Sequence, residues 1–161
     1  MVLLLALLIP AGLVAGFGLV GYGCSTLVRA GGRRSGRNVW LRCLAAFLGA
    51  VAAAAYAWGL VVVGFAVLDA EDGGTDSSPL RPCRAPGDPG RAWNVVDYTV
   101  GYVPLRFVCV NQDGSSYTPG TVPGYVNPAA QGFGLAAAAC AVAATRRSQR
   151  GVPKGAAAQA R

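Results

Sequence analysis

Histidine is absent from this 161-residue chain, and lysine occurs once, at Lys154. Without histidine there is no Ser–His or Cys–His nucleophile pair, no imidazole metal ligand and no imidazole proton shuttle. A lone lysine in a polar terminal segment leaves Schiff-base chemistry a single candidate. Charge is scarce as well. Asp, Glu, Lys and Arg together make up 13% of the residues, where soluble domains carry about 25%. With 53% hydrophobic residues and a mean hydropathy of +0.43, the composition argues against a soluble globular domain.

Acids are missing from most of the chain. All seven lie between Asp69 and Asp113. On either side run long uncharged stretches: residues 1–23, residues 43–68 and the shorter, alanine-rich 128–144. A membrane-crossing helix needs about 20 predominantly apolar residues. The first two runs satisfy this directly, and the third sits at the short limit. Asn127 is expected to cap the third helix, with Pro128 at its first position, where a missing N–H costs nothing.

The charges between the runs assign sides. Residues 24–42 hold Arg29, Arg33, Arg34, Arg37 and Arg42 and no acid. Residues 145–161 hold five more cations, whereas 69–127 holds the seven acids and four arginines, a net −3. Cytoplasmic loops are enriched in Lys and Arg. The expected fold is therefore an α-helical membrane protein with three transmembrane helices and a small extracytoplasmic antiparallel β-meander. Residues 24–42 form a basic cytoplasmic loop, 69–127 a disulfide-stapled outer β domain, and 145–161 a basic, disordered cytoplasmic tail. The protein is expected in the cell membrane, multi-pass, with its N-terminus outside and its C-terminus cytoplasmic. No charge precedes the first run, unlike a secretory signal, so it is expected to remain as an anchor rather than be cleaved.

Within the outer segment, Asp69–Gly90 is rich in Gly, Pro, Asp and Ser and reads as loop. From Trp93 the pattern changes to period two. Val96, Tyr98, Val100 and Tyr102 alternate with Val95, Asp97, Thr99 and Gly101, and Leu105, Phe107 and Cys109 alternate with Arg106, Val108 and Val110. Asp113-Gly114 predicts a two-residue hairpin turn with positive φ at both positions. It leads into a short third strand, Ser115–Thr118, with Tyr117 opposite Val110. Cys83 and Cys109, the two cysteines of this segment, are expected to form a structural disulfide. A redox pair is the sharper alternative, but no Cys-x-x-Cys spacing supports it. Cys24, Cys43 and Cys140 fall in or beside the apolar runs and are expected to pack as small apolar residues. No metal shell can be assembled from them, and no cofactor is implied.

Two short motifs resemble chemistry. Gly16-Phe17-Gly18-Leu19-Val20-Gly21 has dinucleotide-site spacing, but it lies inside an apolar run with no acid about 20 residues on. Val20-Gly21-Tyr22-Gly23 is similar to a potassium-filter core without its threonine or a preceding pore helix. Tyr22 and Trp40 are better read as interfacial aromatics. Rows of small residues recur at four-residue spacing: Gly12 and Gly16; Ala45, Gly49, Ala53 and Ala57; Gly132, Ala136, Cys140 and Ala144. Such rows are expected to pack the helices together. Tyr56, Trp58 and Gln131 lie within the runs and are expected to find partners on neighbouring helices.

No catalytic constellation emerges. The expected function is a non-enzymatic accessory or interaction role through the outer domain or a helix face. The alternative is a membrane-anchored thiol–disulfide protein using Cys83 and Cys109 with acids such as Asp97 or Asp113. Expected partners are the lipid bilayer and another membrane or envelope protein; no small-molecule substrate is identifiable. Nucleic acid is not expected, because the basicity is segregated to two segments rather than gathered on a folded module. Abundant Ala, Gly, Arg, Pro and Val with one lysine fits a GC-rich bacterial genome.

Overall fold

The computed structural model describes residues 2–31, 36–72, 80–84 and 92–150. Three long helices dominate: α1 Val2–Arg29, α2 Arg37–Glu71 and α3 Val126–Arg150. Each contains a stretch long and apolar enough to cross a membrane. A multi-pass membrane protein follows from their length and composition.

All three helices outrun the uncharged runs that announced them. The basic loop expected over 24–42 is helical at both ends, up to Arg29 and again from Arg37. Helix also continues through residues 145–150, where a disordered tail was expected; residues 151–161 lie outside the described residues. The reason is that hydrocarbon excludes charge while helices do not. Arginine is a good helix former and extends a helix beyond the apolar slab. At 35 residues, α2 is a rod of about 52 Å, against roughly 30 Å of bilayer hydrocarbon. Gly16–Gly23, the site of both motif resemblances, is uninterrupted helix within α1.

The chain divides into two compact units. The first comprises residues Met1–Leu13 and Ala54–Ala130 and contains the sheet. Strands β1 (Val95–Tyr102), β2 (Leu105–Asn111) and β3 (Ser116–Tyr117) pair antiparallel in chain order. A short 3-10 turn at Arg81–Cys83 precedes them; of the segment expected as loop, 69–90, the start is helical to Glu71, and residues 73–79 and 85–90 lie outside the described residues.

The meander differs from its sequence pattern in two places. A bulge between Val95 and Asp97 inserts Val96 as an unpaired residue. Val95 therefore packs against the core while Val96 turns out, 56% exposed. At the other hairpin Gly114 alone has positive φ, +78°, and Asp113 does not. The loop is three residues long, Gln112–Gly114, closed by the Asn111 N–H donating to the Ser115 carbonyl at 2.9 Å. Three-residue loops of this kind need only one glycine in the left-handed region. The extra residue slips β3 by one, so Tyr117 lies opposite Cys109 and Ser116 opposite Val110.

The sheet lies along the side of α2 rather than beyond its end. Val100, Leu105, Phe107 and Cys109 share a core with Leu60, Val63, Ala66 and Val67 of α2, Leu5 of α1 and Val126 of α3. Much of the second half of the 43–68 run is thus apolar because it buries against protein. Gly59 permits the closest approach. A Cβ there would stand 2.6 Å from both Leu105 Cδ2 and Val126 Cγ1, and both side chains are fully packed. Gly59→Ala is therefore expected to destabilise this unit by about 1–3 kcal/mol, the usual cost of overpacking. Thermal melting of the purified chain checks it; an unchanged midpoint would show that Leu105 and Val126 can yield.

The second unit comprises Val14–Ala53 and Gln131–Arg161. Here small residues set helix spacing. Gly16 approaches Ala53, Gly49 approaches Ala137, and Gly134 approaches Ala52. Gly12 meets Ala57 in the same manner within the first unit. The rows anticipated on α1 and α2 therefore meet. On α3 the contacting positions are Gly134, Ala137 and buried Ala144, whereas Gly132 is open to its surroundings. Of the row expected there, Ala144 is buried and Ala136 and Cys140 are half-buried, while Gly132 meets nothing. Cys43 is buried and its thiol donates to the Gly23 carbonyl at 3.7 Å. Cys140 is half-buried, while Cys24 is exposed rather than packed.

Candidate functional site

The candidate site is the stapled sheet in the first unit, which brings together most of its polar contacts. Cys83 and Cys109 form a disulfide with a Cα–Cα distance of 6.0 Å, within the usual range for such bridges. Both cysteines are completely buried, at 0% exposure. Tyr117, opposite Cys109, donates its hydroxyl to the Cys83 carbonyl at 2.6 Å. The bridge and this hydrogen bond together fix the 3-10 turn to the central strand. Beside them Tyr98 and Phe107 stack at 5.2 Å between ring centroids.

The two acids considered as partners for a reactive thiol are engaged elsewhere. Asp97 pairs opposite Val110, so strand alternation sends its side chain to the face opposite Cys109. It accepts the Tyr98 N–H at 2.7 Å. Asp113 sits in the hairpin loop and accepts both the N–H and the hydroxyl of Ser115, at 2.9 and 2.6 Å. Neither alternation nor spacing in the sequence reveals this local capture. Among the described residues, no group of three or more Cys, Asp or Glu is arranged to hold a metal ion.

Three further polar contacts tie the sheet to the helices. The Tyr56 hydroxyl donates to the Tyr102 carbonyl at 2.9 Å, so its partner is a strand rather than the neighbouring helix expected for it. Trp58 and Gln131 are exposed. Asn127 does not cap α3, because the helix begins one residue earlier. Its amide instead accepts the Leu105 N–H and donates to the Leu105 carbonyl, each at 2.9 Å. An amide side chain thus completes the strand as another strand would. Pro128 falls at the third helical position, still within the turn whose N–H groups lack intrahelical partners. These roles depend on tertiary neighbours, and no local signal marks them.

The third contact joins Tyr98 to the end of α2, its hydroxyl donating to Glu71 at 2.8 Å. Burial, followed by this hydrogen bond and the negative charges of Glu71 and Asp97, pushes the Tyr98 hydroxyl up to about 12. A raised folded-state value means that the neutral phenol stabilises the fold. That contribution is fully present below the ordinary tyrosine range near 10 and is lost as pH rises through about 12. The expected result is a loss of stability over this alkaline interval that Tyr98→Phe reduces. Alkaline melting curves read together with tyrosinate absorbance check it; identical pH dependence in both proteins would refute it. Two buried oxygens, the Tyr102 hydroxyl and Asn111 Oδ1, lack a hydrogen-bond partner among the described residues.

Outside the core, the sheet exposes aromatic and aliphatic side chains. Trp93, just before β1, is 69% exposed, and the bulge turns Val96 outward beside it in sequence. No family model, curated protein or solved structure matches this chain.

Proposed function

We propose that the protein is a small multi-pass protein of a bacterial cell membrane with a non-enzymatic accessory role, acting by contact with another membrane or envelope protein. Its N-terminus and sheet face outward and its basic segments lie in the cytoplasm. The orientation rests on the charge asymmetry, ten cations and no acid in 24–42 and 145–161 against a net −3 in 69–127.

The observation that carries the role is exposed Trp93 next to a bulge that re-aims Val96. Bulges recur where a strand must redirect a side chain, and tryptophan is the residue most enriched among energetic anchors of protein interfaces. A disulfide-linked sheet held on helices gives such an anchor a rigid base. The thiol–disulfide alternative needs an attackable sulfur; the complete burial of Cys83 and Cys109 weighs against it. Thiol trapping in cells separates the two, since a working redox pair would be found partly reduced.

A photo-crosslinking residue at position 93 in native membranes is expected to capture one discrete partner, and Trp93→Ala to weaken its co-purification at least tenfold. Crosslinks confined to lipid, with co-purification unchanged, would contradict the proposal.

A further inference from the structure

The second unit is rich in cations and has no side-chain acid of its own. Residues 14–53 and 131–161 contain ten Arg and Lys residues and no Asp or Glu. Within this unit a groove of about 480 Å³ runs between the three helices, a size typical of ligand sites, roughly 300–1,000 Å³. Its walls are made of small and aliphatic side chains: Ala45 and Gly49 of α2, Ala137 and Ala141 of α3, and Leu19 of α1. Each helix also contributes one polar residue, Tyr22, Arg42 and Thr145. Arg42 lies two turns from Gly49 along α2, about 10 Å.

The chemistry at the polar residues favours an anion. The Thr145 hydroxyl already donates to the Val142 carbonyl at 2.9 Å, which leaves the Arg42 guanidinium and the Tyr22 hydroxyl as donors. Arg29, Arg37, Arg146 and Arg147 are exposed on the same helix-end segments and add positive field. With no Asp or Glu anywhere in the unit, the counter-charge must come from outside it. A groove that is basic at one end and apolar along its walls matches a molecule with an anionic head and a hydrocarbon tail.

We propose that this groove binds an anionic phospholipid, its phosphate on Arg42 and Tyr22 and one acyl chain along the Ala45–Gly49 and Ala137–Ala141 walls. Guanidinium and phosphate form paired, charge-assisted hydrogen bonds, and basic pockets between membrane helices are suited to anionic headgroups. A free phosphate would satisfy Arg42 and leave the apolar walls uncovered.

The test uses the full chain reconstituted in vesicles of equal phosphatidylcholine and phosphatidylglycerol, re-extracted in mild detergent, with retained lipids measured by mass spectrometry. Phosphatidylglycerol is expected to be enriched roughly tenfold over phosphatidylcholine, and excess inorganic phosphate is expected not to displace it. Arg42→Gln should abolish the enrichment. So should Ala141→Leu and Ala138→Leu, which fill the groove from exposed lining positions. Arg29→Gln, outside the groove, should leave most of it. Equal retention of both lipids, displacement by phosphate, or indifference to the leucine variants would each overturn the proposal. So would a dimer that persists after delipidation and excludes the lipid.

Discussion

Replacing Cys83 and Cys109 together with alanine is expected to cost about 3.5 kcal/mol and to unfold the sheet at ordinary temperatures. The bridge spans a sequence separation of 26 residues, and constraining a loop of that length in the unfolded chain accounts for the figure. The consequence is large because the sheet is small: 8, 7 and 2 residues in its three strands. A sheet of that size has little interior of its own and depends on staples and on its helical seat. Loss of the bridge also releases the 3-10 turn, so the Tyr117–Cys83 hydrogen bond goes with it. Hydrogen exchange at the amides of Phe107–Asn111 should rise by at least two orders of magnitude in the double variant. Protection equal to that of the parent chain would mean that the helical seat alone holds the sheet.

The second large effect is expected at Asn127. Asn127→Leu keeps the approximate volume but leaves the Leu105 N–H and carbonyl without their amide partner. Leaving a buried polar group unsatisfied costs about 1–3 kcal/mol. Two such groups at a half-buried position give an expected loss of about 2–4 kcal/mol. Asn127→Asp provides the sharper readout. A protonated carboxyl can still accept from the Leu105 N–H and donate to its carbonyl, whereas a carboxylate faces that carbonyl with no proton. The neutral form is thus favoured in the folded state and its pKa is raised. Its stability is therefore present at low pH and lost as pH rises through the folded-state value, opposite to an ordinary salt-bridged aspartate. Melting curves from acid to neutral pH should show Asn127→Asp converging on the parent chain as pH falls. A variant insensitive to pH would show that the Leu105 clamp contributes little.

The features legible in the sequence were those written in composition and period. Three uncharged runs mark three helices because hydrocarbon excludes charge. Phe107 and Cys109 alternate with Arg106, Val108 and Val110 because one face of β2 is buried. What escaped was set by neighbours distant in sequence. The bulge that turns Val96 out leaves no mark in an alternating run. Asp113-Gly114 fits both two- and three-residue loops, and that ambiguity moved Tyr117 from Val110 to Cys109. On α3, where alanine occupies almost every side, spacing picks out buried Ala144 but also Gly132, which meets nothing, and passes over Gly134, which approaches Ala52. Asn127 looked like a helix cap because capping is what an isolated Asn-Pro pair does best; only the approach of Leu105 gives its amide a better partner. Part of the apolar length of α2 also serves the sheet, since Leu60, Val63 and Val67 share its core.

In the proposed topology residues 69–127 lie outside the membrane and residues 24–42 and 145–161 lie inside. Impermeant maleimide labelling in intact cells tests this arrangement. Cys24, Cys43 and Cys140 are first replaced by alanine, and Ser116→Cys or Ser148→Cys, both at exposed positions, is then introduced. Position 116 is expected to label in intact cells and position 148 only after permeabilisation. Labelling of both positions from the same side would contradict it.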